Sequence, residues 1–130
     1  QALNVSAPAA VPSIHVDAVL LEQALVNVVE NALVHAPGSD IVIGAAYANG
    51  EVSIWVEDGG PGAPAASLSS IFDKFHRLNP SDTGGAGLGL AISKGFVEAM
   101  GGSVAATSPA RNGRGLKIQF AFARGAETLT

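Results

Sequence analysis

The 130-residue chain contains no cysteine, one methionine, one tryptophan and one tyrosine, and only 14% of it is charged. Without cysteine there is no disulfide scaffold, no thiolate metal site and no cysteine nucleophile, and the redox compartment is left undetermined. Basic residues are few as well: seven Lys and Arg stand against eleven Asp and Glu, a formal net charge of −4. That balance argues against a nucleic-acid binder that depends on phosphate charge. Hydrophobic residues make up 48% of the chain and the mean hydropathy is +0.34, yet no uncharged apolar run reaches the roughly 18 residues a membrane span needs. The amino-terminus also lacks the basic-then-apolar order of a signal peptide. One domain's length of chain remains, enough to bury a core unaided. Glycine is what the chain has in excess. There are 16 in 130 residues, well above the usual share of roughly 7%, and ten of the 16 lie between Gly59 and Gly102.

Around that glycine-rich stretch the pattern is regular. Residues 1–12 are rich in Ala, Pro and Val without a period, and read as a linker or edge strand of a longer protein. Asp17 is placed to cap a helix in which Leu20, Leu21, Ala24, Leu25, Val28, Val29, Ala32 and Ala36 recur at steps of three and four. Pro37-Gly38 ends it. Two β-prone runs, Ile41 to Tyr47 and Glu51 to Glu57, flank Ala48-Asn49-Gly50, and Asn-Gly between such runs predicts a hairpin. Residues 59–64 cannot be regular structure, and a short helical turn is predicted at 65–72. A second helix fits Leu88 to Met100, with Gly101-Gly102 as its cap. Strands are expected at 103–107 and 116–122, with Arg111-Asn112-Gly113 turning between them. Two long helices and a short one over about five strands make a two-layer α/β sandwich, with a mixed sheet covered on one face.

Four constellations carry chemistry. Asn27 and Asn31, with Glu30 just round the cylinder, form a polar stripe on the first helix. Converging amide oxygens suit a hard cation such as Mg²⁺, and a solvated helix face is the rival explanation. Asp58-Gly59-Gly60-Pro61-Gly62 follows a strand directly. Its glycines allow close backbone approach to a ligand, and its aspartate can accept from an exocyclic amine such as adenine's. Gly84-Gly85-Ala86-Gly87-Leu88-Gly89-Leu90 leads into the second helix, whose exposed N–H groups and dipole favour phosphate. It matches neither a Walker A loop nor a dinucleotide fingerprint, and no downstream strand lysine makes it a protein-kinase loop. Finally, Phe72 and Phe75 stand three apart, and Lys74 and Arg77 gather two of the seven basic residues just ahead of the glycines. Such cations suit a polyphosphate as well as they suit solvent.

Taken in order, these segments resemble the ATP-binding catalytic domain of bacterial sensor histidine kinases, in the superfamily of gyrase, Hsp90, histidine kinases and MutL with its Bergerat fold. Residues 25–32 (Leu25-Val26-Asn27-Val28-Val29-Glu30-Asn31-Ala32) resemble the N box, and 58–62 the G1 box. Residues 72–77 (Phe72-Asp73-Lys74-Phe75-His76-Arg77) resemble the F box, and 85–92 the G2 box. The resemblance covers about Ile14 to Phe122, so that 13–124 would be the domain and 125–130 a tail. Within the sensor kinases, His15-Val16-Asp17, Val29-Glu30-Asn31-Ala32 and Ile71-Phe72-Asp73-Lys74-Phe75 are most similar to the potassium- and osmolarity-sensing branch.

The resemblance implies roles. Asp58 would bind the adenine amino group, with Gly60 and Gly62 letting backbone approach the base. Asn31 would coordinate Mg²⁺, with Asn27 and Glu30 beside it. Lys74 or Arg77 would reach the phosphates and Phe75 would border the site. Gly85, Gly87, Leu88 and Gly89 would form the hinge and phosphate-facing end of a lid over about 77–86, expected to be disordered without nucleotide. The γ-phosphoryl group would pass to a histidine on a separate dimerisation domain of the same parent, and then to a cognate response regulator. The fragment itself would be a cytoplasmic monomer, the parent a homodimer anchored in the bacterial inner membrane. Asn27 stands where hydrolysing branches such as gyrase carry a water-activating glutamate, which favours transfer over hydrolysis. None of His15, His35 and His76 has the setting of a phosphoacceptor. Val34 stands where many members have lysine, and Gly59 and Ala63 replace bulkier residues. A degenerate nucleotide-binding module and an anti-sigma-factor serine kinase of the same fold are the alternatives.

Overall fold

The computed structural model describes residues 3–6, 16–68, 70–73, 89–110 and 113–123. Asp17 stays extended, and its Oδ1 accepts the N–H groups of Val19 at 2.9 Å and Leu20 at 3.2 Å. Two of the four donors that a helix start leaves open are thereby satisfied, and helix α1 runs Ala18–His35. The Ala36 N–H still reaches the Ala32 carbonyl at 2.8 Å. Beyond it Pro37 cannot extend the helix, and Gly38 turns away at φ +81°.

The hairpin forms as its turn residues predict. β2 (Ile41–Ala48) and β3 (Glu51–Asp58) pair antiparallel with Ala48 opposite Glu51. Asn49 and Gly50 form the whole loop at φ 55° and 76°, the left-handed pair whose twist matches that of the strands. Ahead of them β1 (Leu3–Ser6) lies parallel to β2 at the sheet edge. The expected short helical segment is a single 3-10 turn at Ala65–Ser67.

Helix α2 (Gly89–Ala99) closes with both bonds of a glycine cap. The Gly101 N–H donates to the Glu98 carbonyl at 3.0 Å and the Gly102 N–H to that of Val97 at 2.9 Å, with Gly101 at φ +83°. β4 (Ser103–Thr107) and β5 (Lys117–Ala123) complete a five-stranded sheet in the order β1-β2-β3-β5-β4, every pairing after the first antiparallel. The mixed sheet of five strands is therefore the one expected.

Alternation along the strands decides which face the helices cover. Val52 and Val56 on β3 and Ile118, Phe120 and Phe122 on β5 are buried with Ala24, Val28 and Ala32 of α1 and Leu90 and Val97 of α2. A fully buried Phe such as Phe120 removes apolar surface worth roughly 2–3 kcal/mol. The helices lie side by side: the buried Ser93 hydroxyl of α2 donates to the Ala24 carbonyl of α1 at 2.8 Å. On the sheet's other face the Trp55 ring crosses Gly44, where a Cβ would come within 2.5 Å of it, and Lys117 Nζ stands 4.8 Å from the ring centroid. No helix among the described residues is long and apolar enough to cross a membrane.

Candidate functional site

The site is assembled where the C-terminal end of β3 meets the C-terminal end of α1. Asp58 closes β3 in core-facing register and is 4% exposed. Its Oδ1 accepts two main-chain donors, Gly60 N–H at 3.0 Å and Leu116 N–H at 3.3 Å, while its own N–H donates to the Leu116 carbonyl at 3.0 Å. Among the described residues no donor reaches Oδ2. A buried carboxylate with one oxygen saturated and the other open is set to accept from a ligand, because leaving it unsatisfied is costly.

The loop after Asp58 is held from two sides. Toward α1, the Gly59 N–H donates to Ser39 Oγ at 3.3 Å, and Ser39 Oγ in turn donates to the Ala36 carbonyl at 3.0 Å. A Cβ on Gly60 would lie 2.5 Å from that of Ala36. The glycine at 60 is thus demanded by helix packing, a reason the sequence pattern did not reveal. Toward the β4–β5 connection, Gly62 sits at φ +78° with the Ser108 hydroxyl filling the place of its absent side chain. Ser108 Oγ accepts the Ala63 N–H at 3.0 Å and donates to the Gly115 carbonyl at 2.8 Å. Gly115, at φ +90°, lies flush against the Asp58 carbonyl, where no Cβ fits. Ser39, Ser108, Gly115 and Leu116 escaped the motif reading. Ser108 and Leu116 meet their partners across 45 and 58 residues of chain, and no local spacing encodes that.

Along α1 the other expected residues separate. Asn27 and Asn31 are half-buried, one turn apart on the same face of α1. Gly89, the first residue of α2, lies against Asn27: a Cβ on it would be 3.9 Å from the Asn27 carbonyl oxygen and 4.0 Å from the Asn27 Cβ. The start of α2 and the Asn27 turn of α1 are therefore neighbours. Asn27 Oδ1 accepts from Gln23 Nε2 at 3.3 Å, and among the described residues the Asn31 amide has no hydrogen-bond partner. Glu30 departs from this group. It is exposed and borders an apolar groove of about 460 Å³ with Leu21, Leu25, Val26, Val29 and Ile43, a groove that Asn27 and Asn31 do not line. One residue of helical rotation, about 100°, accounts for the separation from Asn31.

Ala36, against Gly60, and Asn27, against Gly89, are nine residues apart on α1, about 13 Å along the axis at 1.5 Å per residue. The open carboxylate thus lies toward one end of this stretch and the helix N-terminus at the other. Lys74, Phe75, Arg77, Gly85, Gly87 and Leu88, with the expected lid over 77–86, lie outside the described residues, as do His15 and His76. Among the described residues no group of three His, Asp or Glu side chains is placed to hold a metal ion.

Residues 16–125 match the family of histidine kinase-, DNA gyrase B- and HSP90-like ATPases. The sensor protein KdpD of Mycobacterium tuberculosis is 41% identical over 106 residues, 81% of this chain and 12% of that protein. KdpD of Escherichia coli is 39% identical over 121 residues, 89% of this chain and 13% of that protein. Among solved structures, full-length ShkA in complex with AMPPNP superposes with a TM-score of 0.78 at 31% identity, covering 95% of this chain and 25% of that one. The chain therefore spans about an eighth of the length of the KdpD proteins it matches.

Proposed function

The chain belongs to the family of histidine kinase-, DNA gyrase B- and HSP90-like ATPases, as an ATP-binding domain of the sensor-kinase kind, and we propose that it binds Mg-ATP and donates the γ-phosphoryl group to a histidine on a separate dimerisation domain. The observation that carries this reading is the Asp58 carboxylate. Its buried, open Oδ2 complements the exocyclic amine of adenine, and the pinned loop 59–63 gives the flat base a main-chain surface to lie against. Guanine would set its C6 carbonyl, an acceptor, against the carboxylate, another acceptor, and leave both unpaired, so adenine is favoured. ShkA, a relative of the same fold, is described in complex with an ATP analogue.

The phosphate end follows from α1 and α2. The N–H groups at the start of α2, with the helix dipole behind them, would receive the phosphates. Asn31 presents a half-buried amide oxygen without a partner among the described residues, a donor that fits Mg²⁺. Held by Asn31, the cation would neutralise charge on the phosphates. Asn27 holds the turn before it, and Lys74 and Arg77 supply further positive charge. By the same reading, Gly85, Gly87, Leu88 and Gly89 would line the phosphates, with Phe75 bordering the site. Glu30, turned toward the groove, supports the helix from outside the site.

Phosphoryl transfer rests on positioning and electrostatics. Asn27 has no basicity with which to activate water, so the acceptor is a side chain delivered by a partner. His35, the last residue of α1, is the one histidine among the described residues and lies in no acidic helical hairpin of the acceptor kind. The partners are accordingly the dimerisation domain of the parent and a response regulator, in the cytoplasm of a membrane-anchored homodimeric sensor. The KdpD relatives favour this over an anti-sigma-factor kinase, and potassium sensing is the parent's proposed stimulus.

The test mixes this chain with the dimerisation domain of its parent and γ-labelled ATP. Acid-labile label on the partner is the expected result. Tight ATP binding without any such label would overturn transfer in favour of a binding module.

A further inference from the structure

Ser108 is assigned no part by the four motifs, yet it is the point at which three separated segments meet beside Asp58. Its hydroxyl accepts the Ala63 N–H at 3.0 Å and donates to the Gly115 carbonyl at 2.8 Å, so both capacities of one side-chain oxygen are used at once. The Gly115 carbonyl also accepts the Ala110 N–H at 3.2 Å. The next residue, Leu116, donates to Asp58 Oδ1, and the Gly60 N–H inside the same loop donates to that oxygen too. A closed ring results, running from the Asp58 carboxylate through Leu116, Gly115, Ser108, Ala63 and Gly60 back to the carboxylate. Gly62 leaves space for it, because any side chain there would occupy the place of the Ser108 hydroxyl.

We infer that Ser108 is a positioning residue for recognition of the nucleotide base. It touches no ligand itself. By tying the loop 59–63 to the strand that feeds β5, it keeps the two donors on Asp58 Oδ1 and so leaves Oδ2 aimed at one place. The phosphate end of the site, on α1 and the start of α2, shares no hydrogen bond with this ring among the described residues. Ser108 therefore acts on which base is chosen and leaves the grip on phosphate unchanged. The inference rests on the Asp58 reading proposed above.

The experiment measures calorimetric affinities for ADP and for GDP with Mg²⁺ in the wild-type chain and in Ser108→Ala, with thermal midpoints recorded alongside. Losing one hydrogen bond of this kind should weaken ADP binding by about five- to tenfold. GDP affinity should stay unchanged, so that the ADP-over-GDP ratio falls by the same factor. Ser108→Thr, which keeps the hydroxyl, should restore the ratio. Ser108→Cys keeps the volume and weakens both bonds, and should move the ratio the same way as Ala even if the Ala variant fails to fold. A ratio unchanged in the Ala and Cys variants, or equal losses for ADP and GDP, overturns the inference and leaves the Asp58 reading standing. A wild-type chain with no preference for ADP over GDP overturns the Asp58 reading itself, and the inference with it.

Discussion

Asp58 and Leu116 hold each other through the main chain and the side chain together: the Asp58 N–H donates to the Leu116 carbonyl at 3.0 Å, and the Leu116 N–H donates to Asp58 Oδ1 at 3.3 Å. The carboxylate proposed to read the base is therefore also a structural brace between β3 and the approach to β5. Its two oxygens differ: Oδ1 is turned to the fold, and Oδ2 meets no donor among the described residues.

That division separates two substitutions at the same position. Asp58→Asn can keep an oxygen on the Gly60 and Leu116 donors, but it puts an amide donor where the adenine amine would come. Nucleotide affinity should fall by 100-fold or more, while the thermal midpoint moves little. Asp58→Ala removes the brace as well and leaves two N–H groups near the buried site without an acceptor. It should cost about 2–3 kcal/mol of stability besides abolishing binding. Calorimetry and chemical denaturation on both variants check the difference.

Gly115→Ala should be the most damaging substitution among the described glycines. The residue lies at φ +90° with the Asp58 carbonyl in the place of a side chain. The added methyl must push apart β3 and the strand that pairs with it. A loss of about 3 kcal/mol is expected from backbone strain and steric overlap combined, read as a lower denaturation midpoint.

Gly95→Ala should act in the opposite direction. The position is exposed within α2, and nothing lies within 4 Å of a Cβ built there. Alanine restricts the unfolded chain and favours the helix, so a gain of about 0.4–1 kcal/mol is expected. Thermal denaturation decides it, and a destabilised variant would contradict the open environment.

Asp17→Ala removes the side chain that accepts from Val19 and Leu20. A loss of about 1 kcal/mol is expected. Asp17→Ser should recover most of it, which equilibrium denaturation of the pair would show.

These four positions mark what can be read locally and what cannot. Asp17, Asn49-Gly50 and Gly101-Gly102 act on neighbours a few residues away, and their structures follow directly from residue type. Helix α1 and strand β3 carry their periods openly, so the layer that each face would bury was also apparent. Asp58 stood out because a carboxylate among glycines at a strand end is an unusual local arrangement. Gly60 and Gly62 carried a clear signal with an incomplete explanation. Both were expected to admit a ligand, and both are also shaped by packing against residues far off in the chain, Ala36 and Ser108. Gly115 and Ser108 gave no signal at all, since a lone serine before proline and a glycine in a turn look ordinary until the strands pair. Glu30 shows the limit of spacing arguments: one step along a helix moved it from the shared polar stripe to the rim of an apolar groove.

Trp55 has a use that its place in the sheet dictates. It is the sole tryptophan of the chain, laid across Gly44 beneath the Lys117 ammonium on the sheet face turned away from the helices. Unfolding frees this half-buried indole from Gly44 and Lys117, whereas a nucleotide bound at Asp58 as proposed would lie toward the opposite face of β3. Its fluorescence is consequently an internal optical gauge of the folded fraction, read from the sheet face away from the proposed site. With it, a variant that has lost its grip on nucleotide can be told from one that has lost its shape in a single cuvette.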